Sequence, residues 1–296
     1  MPIQLNAPGF FSIPSNDYHA DPAPAASLSH SIVRTLLDRS PRHAKYAHPR
    51  ISPEPLDDES TDAMDAGTVL HHLILGGGTP PVIVAADSFR TAAAKDQRDA
   101  ARAAGRVPIL AHKLAELSRC AEAVKAQMRE RPECAEFFAP GRSEVTLLWR
   151  ELEGDAAEFW CRSLVDRLPD DPAAPLFDLK SVANLTTSAR WPRDTRAGYC
   201  SQAAFYLRGA RALGREPRHV RFILFERTPP FCIHVAIPGQ TAIERGEKDV
   251  MDAMKLWIAG LHFDQWPGVS TEAEYFELPP HELADALLDK AANPNP

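Results

Sequence analysis

Between residues 111 and 130 apolar side chains return every three or four positions, at Leu114, Leu117, Ala121, Val124 and Met128, the single stripe of an amphipathic helix over His112–Arg129. The same period predicts a helix over Leu28–Arg39, with Ser29 or Ser31 as N-cap and the Ser40-Pro41 step as its end. It predicts another over Asp62–Leu75, stopped by Gly76-Gly77-Gly78. From residue 143 the period drops to two, Val145, Leu147 and Trp149 alternating with Glu144, Thr146 and Leu148, so a sheet begins there. Strands over Glu158–Asp166 and Ala174–Lys180 flank the turn-forming Pro169-Asp170-Asp171-Pro172. A helix over Thr195–Gly214, apolar strands at Val220–Phe225 and Phe231–Ile237, and a helix over Thr241–Gly260 complete the pattern. Residues 1–26, with five prolines and no period, are expected to be a flexible tail, as are 271–296. The division is then a helical portion at 27–140 and an α/β core at 141–270.

Composition narrows the class. The chain has 296 residues, 44% hydrophobic and 25% charged, which fits a globular protein with a real core and excludes wholesale disorder or a rod. Its net charge of -7 argues against coating nucleic acid through bulk charge, but not against a local basic groove. Five cysteines, at 120, 134, 161, 200 and 232, lack any CxxC spacing, so neither a disulfide framework nor a zinc or iron-sulfur site is indicated. With no membrane-length apolar run and no basic leader, the expectation is a cytoplasmic protein without a membrane partner.

The sharpest chemical pattern is Asp166 followed twelve positions later by Asp178-Leu179-Lys180. Strand alternation puts Asp178 and Lys180 on one face and Leu179 on the other, and a turn between antiparallel strands can bring Asp166 beside them. Two converging carboxylates suit a hard divalent cation such as Mg2+, which keeps waters for a phosphate substrate; the lysine then stands beside a metal-bound water. The tripeptide alone fits a surface ion pair equally well. Gln202 and Tyr206 share a helix face, although Tyr206 also falls on the apolar stripe Tyr199, Ala203, Tyr206, Ala210 and Leu213. Across 190–221 eight arginines face only Asp194 and Glu216, a local charge reversal that suits phosphate contacts or a solvated helix face. Trp191, amid them, suits base stacking or anchoring.

Read in order, Gly67-Thr68-Val69-Leu70-His71, Glu144, Arg162 to Asp166, Asp178-Leu179-Lys180 and Gln202-Ala203-Ala204-Phe205-Tyr206 resemble the PD-(D/E)xK nucleases of the RecB-like group. Within it the chain is most similar to the exodeoxyribonuclease VIII (RecE-type) family of phages and prophages. Ser27–Tyr46, Phe225-Glu226-Arg227 with Pro229-Pro230, and Trp266-Pro267-Gly268 extend the likeness over about residues 15–270. The run Arg162–Asp166 is looser than the family pattern, and Ser181 stands where a threonine is common. The resemblance implies an α/β fold with a restriction-endonuclease-like core, a mixed central β-sheet flanked by helices, and an N-terminal helical extension. It implies Mg2+, with Mn2+ able to substitute, held by His71, Asp166, Asp178 and the Leu179 carbonyl, with Lys180 as the catalytic lysine.

Glu144 is expected either to assist the metal or water or to be a strand-edge charge. Gln202 and Tyr206 are expected to touch a nucleotide or to brace Lys180, and with Arg193 and Arg196 they are the expected DNA contacts. Gly67 is read as the small residue that lets its helix approach the sheet, and His72 as turned away from the site by about 100°. The implied activity is 5′ to 3′ exonucleolytic digestion of double-stranded DNA from its ends in phage-type recombination, beside a single-strand annealing protein and as a homo-oligomer. The alternative is a catalytically silent DNA-binding module on the same fold.

Overall fold

The computed structural model describes residues 3–54, 61–153 and 157–270, together with 272, 273, 275 and 288. A seven-stranded sheet organises the chain. Its backbone is the hairpin of β5 (Gly141–Glu153) and β6 (Ala157–Pro169), antiparallel from Gly141↔Pro169 to Glu153↔Ala157. β7 (Leu176–Val182) follows, paired in parallel with β8 (Val220–Glu226), and β9 (Ile233–Ala236) closes that edge antiparallel to β8. The sheet is therefore mixed, and helices cover both of its faces, as the fold expectation required.

Several helices begin or end where the sequence supplies a stop. α2 (His30–Asp38) starts at Ser29, whose Oγ accepts the Ile32 N–H at 3.5 Å, and α3 (Pro41–Ala47) is capped by Ser40 with Pro41 in its first turn. α4 (Asp62–Leu75) opens on the Thr61 cap and ends at Gly76, whose φ of 64° glycine takes without steric cost. α6 (Ala111–Arg129) carries the predicted stripe, burying Ala121, Val124 and Met128. α4 and α6 cover one face, against Phe177, Leu179, Ile223 and Phe225. On the other face lie α2, α7 (Arg193–Ala212) and α8 (Gln240–Phe263), packed on Val145, Leu147, Trp149, Phe222 and Leu224. Close helix packing needs glycine here: a Cβ at Gly209 would fall 2.7 Å from the Trp149 ring, and one at Gly246 would collide with the Cys200 carbonyl.

Two expectations about organisation are corrected. Residues 3–26 are not a tail: β1 (Gly9–Phe11) pairs antiparallel with β5, α1 (Ser15–His19) follows it, and Leu5, Tyr18 and Ala23 are buried, Leu5 and Ala23 with Leu148 and Trp160. The prolines bound short elements that only the sheet's exposed apolar face can hold, so they leave no period to read. Nor is 27–140 purely helical. β2 (Ser27–Ser29) joins β6 in parallel, and β3 (Val82–Val84) pairs in parallel with β4 (Pro108–Leu110) around the crossover helix α5 (Ala92–Ala103). Three-residue strands are too short for alternation to show. Residues 271–296, expected as a tail, lie outside the described residues except for the four named above.

Candidate active site

The site is made by a divergence in the sheet. β5 occupies one edge of β6 along its length, so β2 and β7 must share the other. β2 takes Trp160–Arg162, and β7 meets β6 at Arg167↔Phe177. Between these contacts β6 and β7 splay apart, and groups from both faces of the sheet enter the gap. Asp166, on β6, accepts a hydrogen bond from the Leu179 N–H at 2.6 Å. Because the N–H and C=O of one strand residue point to the same side, the Leu179 carbonyl also faces the gap, while its side chain joins the α4/α6 core. His71 arrives from α4 with Nδ1 3.6 Å from Asp166 Oδ2. Asp178 and Lys180 arrive on the α7 side, with Nζ 2.6 Å from Asp178 Oδ2. Both carboxylates are nearly buried, whereas the side chains of His71 and Lys180 keep 27% and 30% of their surface. The charged floor is thus dry and its rim open.

α7 orients Asp178. Gln202 Nε2 donates to Asp178 Oδ1 at 2.9 Å and to the Tyr206 hydroxyl at 2.8 Å, and the Tyr206 hydroxyl lies 2.7 Å from the Leu164 carbonyl and 3.1 Å from Asp178 Oδ1. A phenol has one proton, so only one of those two acceptors receives it. Gln202 and Tyr206, expected to touch a nucleotide or to brace Lys180, are buried and hold Asp178, the ion-pair partner of Lys180.

Asp178 Oδ2 is left differently. It is buried, and among the described residues its partner is the Lys180 ammonium, in a charge-assisted contact at 2.6 Å. Burial pushes the Asp166 carboxyl up to about 6, Asp178's charge adds to this, and His71, Lys180 and the Leu179 N–H oppose it. Burial alone would pull the Lys180 ammonium down, but Asp178 and Asp166 outweigh it and hold it above its ordinary value, so it is a cation at neutral pH.

These groups fit Mg2+ in kind. The described residues hold no cluster of three His, Cys, Asp or Glu side chains able to bind a metal alone. Mg2+ needs no such cage, being bound through one or two carboxylates and completed by waters and phosphate oxygens. The Asp178 and Asp166 carboxylates and the Leu179 carbonyl are oxygen donors of that type. His71, a nitrogen donor, would suit Mn2+ better than Mg2+.

Other expected residues lie elsewhere. Glu144 is opposite Asp166 by register, but its backbone turns into the left-handed region at φ 51°, the ladder omits it, and its carboxylate packs on Gly78. There it lines a cavity of about 210 Å3 with Ser12, Pro14 and Thr79. No contact joins it to the two aspartates, which corrects its catalytic reading. Arg196 donates to the carbonyls of Ser188, Ala189 and Trp191 at 3.3–3.4 Å, stapling the turn before α7, whereas Arg193 is exposed. The arginine excess sorts largely into structure: Arg208 forks onto Glu151, Arg218 and Arg221 meet Glu136, and Arg215 donates to the carbonyls of Pro169 and Asp171. Trp191 packs against Tyr199 at 4.7 Å between ring centroids, an anchor for the preceding loop. His72 turns from the site, with Nδ1 2.7 Å from the Gly77 carbonyl.

One residue near the site escaped the sequence. His30, at the start of α2, lies 3.0 Å from Ser201 Oγ on α7. Desolvation, then the charges of Lys180 and Arg34, lower its pKa to about 3, so it is a neutral imidazole beside the catalytic lysine candidate. A single histidine beside a cap carries no signal that it meets a strand 150 residues on.

No protein-family model matches the chain, and no curated protein matches it. Among solved structures, the crystal structure of a "Putative exonuclease" from Eubacterium rectale is 12% identical and aligns with a TM-score of 0.52, over 92% of this chain and 98% of its own. At that identity the likeness is one of fold. It spans nearly the whole of both chains. A second structure, SSO0001, is 10% identical over 65% of this chain and 86% of its own, with a TM-score of 0.25. No helix among the described residues is long and apolar enough to cross a membrane.

Proposed function

We propose that this chain is a divalent-metal-dependent deoxyribonuclease. The observation that carries the reading is the convergence of two buried carboxylates, Asp166 and Asp178, beside Lys180 in the β6–β7 gap. Two neighbouring buried carboxylates disfavour each other's charge, and a divalent cation taken up between them would offset that cost. Asp166, Asp178 and the Leu179 carbonyl would hold Mg2+ or Mn2+, with His71 beside Asp166. When bound, the ion supplies an activated water at neutral pH and charge to stabilise the phosphoryl oxygens.

The remaining work falls to side chains of this chain. Lys180, kept protonated by its carboxylates, cannot take a proton from water; it neutralises charge on the phosphate as the bond to the leaving oxygen breaks. Gln202 and Tyr206 fix one oxygen of Asp178 so that the other stays aimed into the gap. The floor's near-complete burial strengthens each of these interactions.

On the sequence resemblance, the reading extends to 5′ to 3′ exonuclease action on double-stranded DNA ends, a single-strand annealing protein as partner, and a homo-oligomer. The fold shared with the Eubacterium rectale protein supports a nuclease scaffold. End-labelled linear duplex and closed circular duplex, each with and without Mg2+, test it. Metal-dependent loss of the linear substrate alone, with label released from the 5′ end, is the expected result. Cleavage of the circle would replace exonuclease with endonuclease, and binding without cleavage of either would favour the silent module.

A further inference from the structure

Glu144 is turned away from the catalytic gap, and it is turned into a cavity of its own. Its neighbours on β5 pair as Ser143↔Arg167 and Val145↔Val165, so a regular strand would set the Glu144 carboxylate beside Asp166, the like-charge arrangement that sheets avoid. The φ of 51° swings it clear at a cost in backbone strain. A neutral side chain at this position would need no such strain, so the swing does not by itself account for a carboxylate here. Gly78 then seats it: a Cβ on this glycine would overlap the carboxylate, and its φ of 78° is one that glycine takes without steric cost. A glutamate that only met water would need no such cradle.

The cavity, about 210 Å3, lies where the segment after β1, the segment after α4 and the start of β5 meet. Among the described residues no lysine or arginine lines it. Three oxygen groups from those three segments, the Ser12 hydroxyl, the Thr79 hydroxyl and the Glu144 carboxylate, make no side-chain hydrogen bond or ion pair with another described residue. Ser143 differs, since its Oγ donates to the Leu75 carbonyl at 3.1 Å and accepts from Arg167 Nη1 at 3.3 Å. Ile13 and Pro14 add an apolar wall. A negative charge without a lining cation argues against an anion as occupant. One carboxylate among neutral hydroxyls also leaves a divalent ion half compensated, and the paired Asp166 and Asp178 offer it better terms. A primary ammonium fits the set: its three N–H donors meet three unpaired acceptors, and the methylenes of its stem lie on Ile13 and Pro14.

We propose that this cavity binds a primary ammonium on an unbranched alkyl stem, carried by a small free amine or by a lysine of another protein chain, with Glu144 as its counter-ion. The site is separate from the metal gap, and the proposal does not rest on the nuclease reading. Titrating n-butylammonium into protein labelled at its isoleucine methyls tests it, because Ile13 reports from the cavity wall. The expected result is a saturable shift of the Ile13 signal that n-butanol does not produce and that Glu144→Gln weakens about tenfold at unchanged Tm. Thr79→Val, which removes one acceptor and keeps the charge, should weaken it severalfold. Tetramethylammonium has the charge but no N–H donor, and its binding to the wild-type protein should be weaker by about tenfold, a comparison that no variant's folding affects. Putrescine and Nα-acetyl-lysine methylamide separate the two sources: tighter binding of the diamine assigns a free amine, and tighter binding of the lysine derivative assigns a protein side chain. An Ile13 signal that ignores n-butylammonium overturns the site. Equal shifts with n-butanol reduce it to an apolar notch, and equal affinity in Glu144→Gln or for tetramethylammonium removes the counter-ion and its acceptors; each of these overturns the proposal too.

Discussion

Strand β6 carries two buried charges four residues apart, and the protein treats them in opposite ways. Arg162 is fully answered: its guanidinium donates to the Tyr18 carbonyl and to the carbonyl and hydroxyl of Ser27, at 3.2, 2.6 and 2.7 Å, and lies 3.2 Å from Asp21 Oδ1. Asp21 in turn accepts from the Ser27 hydroxyl at 2.6 Å and the Ser27 N–H at 2.9 Å. His48 completes the group: its Nδ1 accepts the Arg50 N–H, so its Nε2 holds the proton and donates to the Ser27 carbonyl at 3.0 Å. Asp166 and Asp178, by contrast, lie beside one lysine, whose Nζ is 2.6 Å from Asp178 Oδ2. A buried network with balanced charges specifies structure, whereas two buried carboxylates side by side keep a demand for further positive charge. Arg162 ties residues 18–27 to the sheet; Asp166 is buried beside a second carboxylate at the open end of the gap.

The hardest test of this contrast is to remove Arg162. Arg162→Ala strands the Asp21 carboxylate in a buried site and should cost about 3–5 kcal/mol in urea unfolding, with cleavage per folded molecule retained. A loss under about 1 kcal/mol would mean that the cluster is not structural. Asp166→Asn should do the reverse. Asp166 has a folded pKa of about 6 against an ordinary 3.8, so the folded state binds more protons than the unfolded one across that window, and stability falls as pH rises through it. At pH 7 the metal-free Asn variant should therefore be more stable by about 1–3 kcal/mol while losing cleavage. A destabilised variant would break the assignment of Asp166 as an under-satisfied ligand.

His48 supplies a pH dependence of the opposite sign. Burial, followed by Arg162's charge, lowers its pKa from 6.5 to about 4, so the folded state binds fewer protons than the unfolded one, and stability is lost as pH falls from about 6.5 toward 4. His48→Gln, which keeps a donor, should flatten that limb of the Tm profile, by about 1–3 kcal/mol at its lower end. An unchanged profile would place the acid sensitivity elsewhere, at His30 first. The smallest effects concern the arginines. If Arg193 contacts phosphate, Arg193→Ala should reduce the slope of log affinity against log salt by about one, whereas Arg196→Ala should mainly loosen the 188–191 turn, read as faster proteolysis there. Equal salt slopes for both variants would erase the distinction between them.

Much of this was open to sequence reading, and the limits of that reading are physical. Apolar period located α4, α6, α7, α8 and the long strands to within a few residues, because each must bury one face whatever it packs against. The caps at Ser29 and Gly76 are local hydrogen-bonding and backbone preferences, legible for the same reason. Strand alternation alone placed Asp178 and Lys180 on one face. Tertiary structure decided the rest. Whether Glu144 or His71 meets Asp166 depends on where β6 and β7 part and on a backbone twist at Glu144, not on spacing. Net charge could not show that most arginines of 190–221 are taken up by carbonyls and carboxylates of their own chain, since composition counts charges and not partners. Residues 3–26 have too few apolar positions to fold alone, and they acquire structure only because the β5–β6 sheet offers a face to cover and Arg162 a charge to share. Local chemistry is written residue by residue; which of two charges on one strand is satisfied, and which is left open, is settled only when distant segments meet.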